Sequence, residues 1–140
     1  MGSEPPEFEQ DEVESQLSVT IDLTPEFYRN LRDLDKRYRH IRADIQTVLQ
    51  DLEVGNFVGD RISGIGEGYV MLKVRVRNRD IQKGKSAGYR LIYRVESPIS
   101  VLLLTIYSKS DRSDITAAEL RSITAEFQDD DYLRSAMPTI

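Results

Sequence analysis

Residues 70–95 read VMLKVRVRNRDIQKGKSAGYRLIYRV. Successive side chains of a strand point to opposite faces, so a half-buried strand alternates apolar and polar residues with period two. Residues 69–77 follow that rule: Val70, Leu72, Val74 and Val76 form one row, and Met71, Lys73, Arg75 and Arg77 the other. Residues 88–95 repeat it, with Tyr89, Leu91, Tyr93 and Val95 opposed to Arg90, Ile92 and Arg94. Between them lies a spacer, Asn78 to Ala87, short enough to join antiparallel neighbours. Two such strands predict a sheet with one oily face and one basic face. On the basic face Lys73, Arg75, Arg77, Arg90 and Arg94 would lie together and uncovered, with Lys83 and Lys85 on the joining turn. Tyr89 and Tyr93 fall on the apolar row and read as core residues rather than as stacking platforms for bases.

Outward from this pair, residues 99–107 give a third strand. Its Leu102-Leu103-Leu104 run marks a central position, buried on both faces. Glu96-Ser97-Pro98 is the tight turn that precedes it. Upstream, residues 18–23 (SVTIDL) alternate as a strand, and Thr24-Pro25-Glu26 reads as an N-cap with proline at the first helical position. Phe27, Leu31, Leu34 and Tyr38 recur at helical spacing, as do Ile41, Ile45, Leu49 and Leu52. This is a helical pair broken near Arg39-His40, with Gly55 as C-cap. Residues 59–68 (GDRISGIGEG) form a turn-rich connection; the glycines lack a nucleotide-loop fingerprint and no helix follows them. Downstream, Thr116-Ala117-Ala118-Glu119 has the form of a capping box that opens a helix burying Leu120, Ile123 and Phe127. The fold class is therefore α+β: an N-terminal strand and helical hairpin packed on an antiparallel sheet of about four strands, with a C-terminal helix.

The chain has 140 residues and a net charge of -5, which would argue against an anionic partner. The charge is unevenly placed. Residues 1–16 carry six acids and no base, with two prolines and little to bury, and read as a disordered acidic tail. Residues 128–140 read as a flexible acidic end. Residues 17–125 hold 18 basic and 14 acidic side chains, a net of +4. From Arg61 to Arg112 there are 11 basic residues against four acids, a net of +7. Such a patch attracts phosphates, although Lys and Arg are also ordinary solvent-facing residues of strands and turns. Like charges opposed across strands cost stability, so a phosphate-bearing partner is the economical reason for five on one face.

With no cysteine, disulfides, thiolate zinc sites and thiol catalysis are excluded. No apolar run is long enough to span a membrane, and the acidic N-terminus has no secretory signal, so a cytoplasmic protein is expected, with no membrane partner. The single histidine, His40, sits at the helix junction between Arg39 and Arg42 and reads as a capping or surface residue.

LKVRVRNRDIQKGKSAGYRLIYRV, followed by LLLTIYSKSDRSDI, resembles the RelE/ParE superfamily of bacterial toxins and, within it, the RelE-like messenger-RNA interferases of type II toxin-antitoxin systems. The helical stretch from Phe27 to Ile62 looks like that family's helical hairpin, and the similarity covers residues 17–127. The resemblance implies a ribosome-dependent endoribonuclease that cuts messenger RNA in the decoding site, with the 2′-hydroxyl as internal nucleophile, no metal and no cofactor. It also implies neutralisation by a cognate antitoxin. By position it points to Lys73, Arg75 and Arg90, and to Lys109 and Arg112 in the cluster after the last strand; joined to the basic-face reading, Lys73, Arg75, Arg90 and Arg112 are expected to be catalytic, and Arg77, Lys83, Lys85, Arg94 and Lys109 to bind RNA. Ser110 and Thr116 stand where characterised members place an arginine and a catalytic tyrosine. No proton acceptor is identified; a lysine of the cluster and, less well, Asp111 are the candidates. Those departures leave a second reading, a non-catalytic binding module, either a degenerate toxin or a ParE-like gyrase inhibitor.

Overall fold

A computed structural model describes residues 18–66, 68, 70–81 and 87–129, with the side chains of 128 and 129 excepted. The acidic N-terminal tail, residues 130–140 of the acidic C-terminal end, and the lysines at 83 and 85 lie outside the described residues, while the C-terminal helix runs into the first two residues of that end. Five strands, β1 (Thr20–Leu23), β2 (Asp60–Arg61), β3 (Val70–Val76), β4 (Tyr89–Ser97) and β5 (Ser100–Ser108), form one sheet in the order β1-β5-β4-β3-β2. The helices are α1 (Pro25–Arg37), α2 (Ile41–Glu53) and α3 (Ala117–Asp129). The fold is α+β. β1 runs parallel to β5, while β2-β3, β3-β4 and β4-β5 are antiparallel. The two-residue β2 pairs with Leu72 and Lys73, so the connection expected at 59–68 contributes a short edge strand.

Local chemistry explains the boundaries. Thr24 Oγ1 accepts the Phe27 N–H at 3.0 Å and donates to the Leu104 carbonyl at 2.7 Å, tying the start of α1 to β5. Pro25 follows at the position where a missing N–H costs nothing. Phe27, Leu31 and Leu34 are buried at helical spacing, and so are Ile41, Ile45, Val48, Leu49 and Leu52 of α2. The break falls at Tyr38–His40, where the Asp80 carboxylate accepts the His40 N–H at 3.0 Å and also meets His40 Nδ1 at 2.7 Å. Those bonds hold the Asp80 carboxyl below its ordinary range. Gly55, at φ +83°, ends α2, with its N–H on the Leu52 carbonyl at 3.0 Å.

The sheet is covered on both faces. The apolar rows of β3 and β4, including the fully buried Tyr89 and Tyr93, pack with α1 and α2 into one core. A second core lies on the other face: Met71, Ile92, Leu102, Leu104 and Tyr107 pack with Ile65, Leu120 and Phe127. An uncovered basic face is therefore not what forms. The rows alternate as read, but α3 buries the part of the second face that carries Met71 and Ile92. The basic side chains keep only the remainder.

A register shift between β4 and β5 governs what reaches that remainder. Ile92 pairs with Thr105 while Tyr93 pairs with Leu103, so Leu104 is an extra residue on β5. A bulge of this kind resets the alternation. Before it, Val101 and Leu103 face the first core; after it, Ile106 does, and Tyr107 joins the second.

Candidate nucleic-acid interface

On the second face, Arg75 of β3 pairs in register with Arg90 of β4, and Arg90 with Tyr107 of β5. The three side chains therefore stand in one cross-strand row. Lys73 lies two residues along β3 from Arg75; on β2, Asp60 pairs in register with Lys73, and Arg61 with Leu72 of the opposite row. Asp60, Arg61, Lys73, Arg75 and Asp114 line a cleft of about 460 Å³. Arg75 is exposed, and among the described residues it forms no ion pair. Arg90 is only 5% exposed, with Nη1 donating to the Tyr89 carbonyl at 3.2 Å. The reading of Arg90 as an open-face residue is corrected: it is buried between Arg75 and Tyr107, its partners across the sheet.

That loop is wound tightly. The Lys109 N–H donates to the Gly88 carbonyl at 2.9 Å, and the N–H groups of Asp111 and Arg112 both donate to Ser108 O, at 2.9 and 3.2 Å. Lys109 Nζ folds back onto the Ser113 carbonyl at 2.6 Å. Arg112 is held at three points: Nε on the Asp114 carbonyl at 2.9 Å, Nη2 on both Glu119 carboxylate oxygens at 2.9 Å, and the guanidinium 5.5 Å from the centre of the Tyr107 ring. Glu119 belongs to the capping box of α3. Its carboxylate accepts the Thr116 N–H at 3.1 Å, and its own N–H donates to Thr116 Oγ1 at 3.1 Å.

Two carboxylates thus occupy two of the cations. Lys73 Nζ meets Asp114 Oδ1 at 3.3 Å, and Arg112 meets Glu119. The Ile115 N–H on Oδ1, and then Lys73, hold the Asp114 carboxyl below its usual range. Arg112 does the same to Glu119, helped by the Thr116 N–H. Burial, reinforced by the Asp114 charge, raises the Tyr107 phenol above its ordinary value, which keeps it protonated.

The remaining sequence candidates separate. Arg77 is exposed at the end of β3 and lines, with Arg75, Arg79, Asp44 and Asp51, a groove between β3 and α2. Arg94 is corrected: it pairs in register with Met71 and Leu102 at the covered end of the sheet and meets Glu96 at 3.2 Å, away from the Arg75 row. Asp111 is turned towards α1, where Arg37 holds it at 2.6 and 3.1 Å, so it does not face Lys73 or Arg75 as a base. His40 is the helix-junction residue expected, with Asp80 as the partner that the sequence did not reveal. Among the described residues no group of His, Asp and Glu is arranged to hold a metal ion, and no helix is long and apolar enough to cross a membrane.

Sequence reasoning missed Tyr107, Arg61, Asp114 and Glu119. Glu119 was legible as a capping residue, though not as the partner of Arg112 seven positions away. Tyr107 was hidden by the bulge.

No family model matches the chain. Among solved structures, the chain is similar to the free state of a double arginine-to-alanine mutant of the E. coli toxin RelE, at 17% identity over 78% of this chain and 96% of that one, with a TM-score of 0.47.

Proposed function

We propose that this protein is an endoribonuclease toxin that cuts messenger RNA in the ribosomal decoding site and is held inactive by a cognate antitoxin. The row Arg75, Arg90 and Tyr107, with Lys73 and Arg112 at its margins, carries the reading. A planar guanidinium binds two phosphate oxygens at once, and several on one rigid sheet fix a phosphodiester rather than merely attract it. The sequence strings that resemble RelE-like interferases fall on these same strands.

In the proposed reaction the 2′-oxygen attacks the adjacent phosphorus and the 5′-oxygen leaves. The protein's part is to align those atoms and neutralise the charge that builds on the phosphorane. Exposed Arg75 meets the phosphate first. Buried Arg90, fixed by the Tyr89 carbonyl, supplies a preorganised donor. Lys73 and Arg112 exchange carboxylate for phosphate as RNA enters. Primer extension on a translated messenger RNA tests the reading: wild type gives codon-phased cuts, and Arg90→Ala loses them. Intact message with wild type at micromolar concentration overturns it.

A specific observation favours the binding-only reading. Thr116 Oγ1 is committed to the capping box, and Ser110 Oγ lies 2.9 Å from Ser108 Oγ. Neither side chain is turned to the Arg75 row in the way a replacement for a tyrosine or an arginine there would be. Under that reading translation stops with the message uncut, or a supercoiling assay registers gyrase inhibition.

A further inference from the structure

We propose that Tyr107 is the proton donor of this site, delivering its phenolic proton to the 5′-oxygen that leaves when an RNA phosphodiester is cut. The proposal rests on the ribonuclease reading and supplies a group that the positional assignment of residues leaves open.

Tyr107 is 6% exposed, and among the described residues its hydroxyl oxygen reaches no hydrogen-bond partner. A buried hydroxyl without a partner lowers stability relative to the same ring without it. Phenylalanine would fill this part of the second core as well, so packing does not account for the hydroxyl. Its surroundings do. Arg90 stands beside it in register, Arg112 lies over the ring, and Asp114 and Glu119 are near enough to oppose its ionisation. A phenol kept protonated among guanidinium groups is a donor placed where an anion is bound.

Tyr89 offers a useful contrast, because its hydroxyl also lacks a partner. That ring belongs to the first core, packed edge-on against Tyr38 at 5.8 Å on the opposite face from Arg75 and Arg90. Of the two, it is Tyr107 that joins the cationic row. It is shielded by Arg112, which Glu119 holds in place. A phosphate that draws Arg112 off Glu119 uncovers the ring as it arrives, so access and anion binding are one event.

The chemistry balances with water as the second proton carrier. The 2′-oxygen forms a bond to phosphorus and its proton passes to water. The bond from phosphorus to the 5′-oxygen breaks, that oxygen takes the Tyr107 proton, and the products are a 2′,3′-cyclic phosphate and a 5′-hydroxyl. The phenolate then recovers a proton from water.

The experiment compares wild type with Tyr107→Phe on ribosomes programmed with a message that carries, at the cut codon, either the ordinary linkage or one with sulfur in place of the 5′-bridging oxygen. A thiolate leaves without protonation, so loss of a proton donor is invisible on the sulfur linkage. Tyr107→Phe should cut the ordinary linkage about 100-fold more slowly and the sulfur linkage within a few-fold of wild type, with a melting temperature no lower than wild type. Equal cutting of the ordinary linkage by both proteins overturns the donor role and leaves the ribonuclease reading standing. Equal loss on both linkages overturns it in favour of a positioning or structural role. If wild type cuts neither linkage, the ribonuclease reading falls and the donor with it.

Discussion

Gly88 shows how tightly the cationic row is built. A Cβ placed on it would lie 2.0 Å from the Val76 carbonyl oxygen and 3.0 Å from the Asn78 nitrogen, both backbone atoms that cannot rotate away. Glycine is needed there for the close approach of β3 and β4, and the Gly88 carbonyl also receives Lys109 from the following loop. Gly88→Ala should therefore destabilise the fold by about 3 kcal/mol, at the upper end of overpacking costs, measured by urea denaturation; a change below about 0.5 kcal/mol, the range of neutral surface substitutions, would show that the hairpin yields. Residues of this kind were readable in part. Alternation alone assigned Lys73, Arg75 and Arg90 to one row, because β3 and β4 each bury one face against apolar helices and the pattern follows the pleat. Alternation gave Arg90 the right direction and the wrong exposure, since burial depends on what packs around a side chain in three dimensions and not on the row it belongs to. It could not place Tyr107 at all: β5 is apolar on both rows, so nothing in its composition signals the extra residue at Leu104 that turns the ring to the second face.

At the scale of elements, the same division holds. The helices were legible because their start signals are chemical: Thr24-Pro25 and the Thr116–Glu119 box both form the bonds their residue types allow. The two-residue β2 was not, since a strand that short has no period and its segment is rich in glycine. Nor was the coverage of the second face by α3, which depends on where a helix docks rather than on its own pattern. That docking gives the helix a second task. Glu119 caps α3 with its backbone and carboxylate while the same carboxylate holds Arg112, so the first turn of α3 restrains one of the proposed phosphate ligands. Glutamine retains the capping geometry and removes the charge. Glu119→Gln should thus leave helix content unchanged and tighten binding of a short RNA by about threefold at low salt, a modest gain because exposed ion pairs are weak; the gain should fade as salt rises. Titration by fluorescence anisotropy checks it, and equal or weaker binding by the variant would mean that Glu119 does not compete with phosphate.

For the whole molecule, the net charge of -5 conceals a folded region of opposite sign, and the acids within that region are not passive. Asp80, Asp114 and Glu119 each have their carboxyl lowered below the ordinary value, by His40, by the Ile115 N–H with Lys73, and by Arg112 respectively. A group whose folded pKa is depressed contributes stability that is present above its unfolded value and is lost as pH falls through the folded one. The unfolded values are 3.8 for the two aspartates and 4.5 for the glutamate, so the loss begins near pH 4.5 and continues below 3.8. Asp114 and Glu119 face solvent, which screens them, and Asp80 sits against an exposed His40 at the surface, so each contribution is small. The three act at separate joints: Asp80 fastens the helix junction to the end of β3, Asp114 fastens the last loop to β3, and Glu119 fastens that loop to α3. Their joint titration should lower the melting temperature steadily from about pH 5 to pH 3, with a shallower slope in Glu119→Gln because one of the three no longer titrates. A melting temperature that stays level over this range in differential scanning calorimetry would show that the carboxylates bridge these elements without stabilising them.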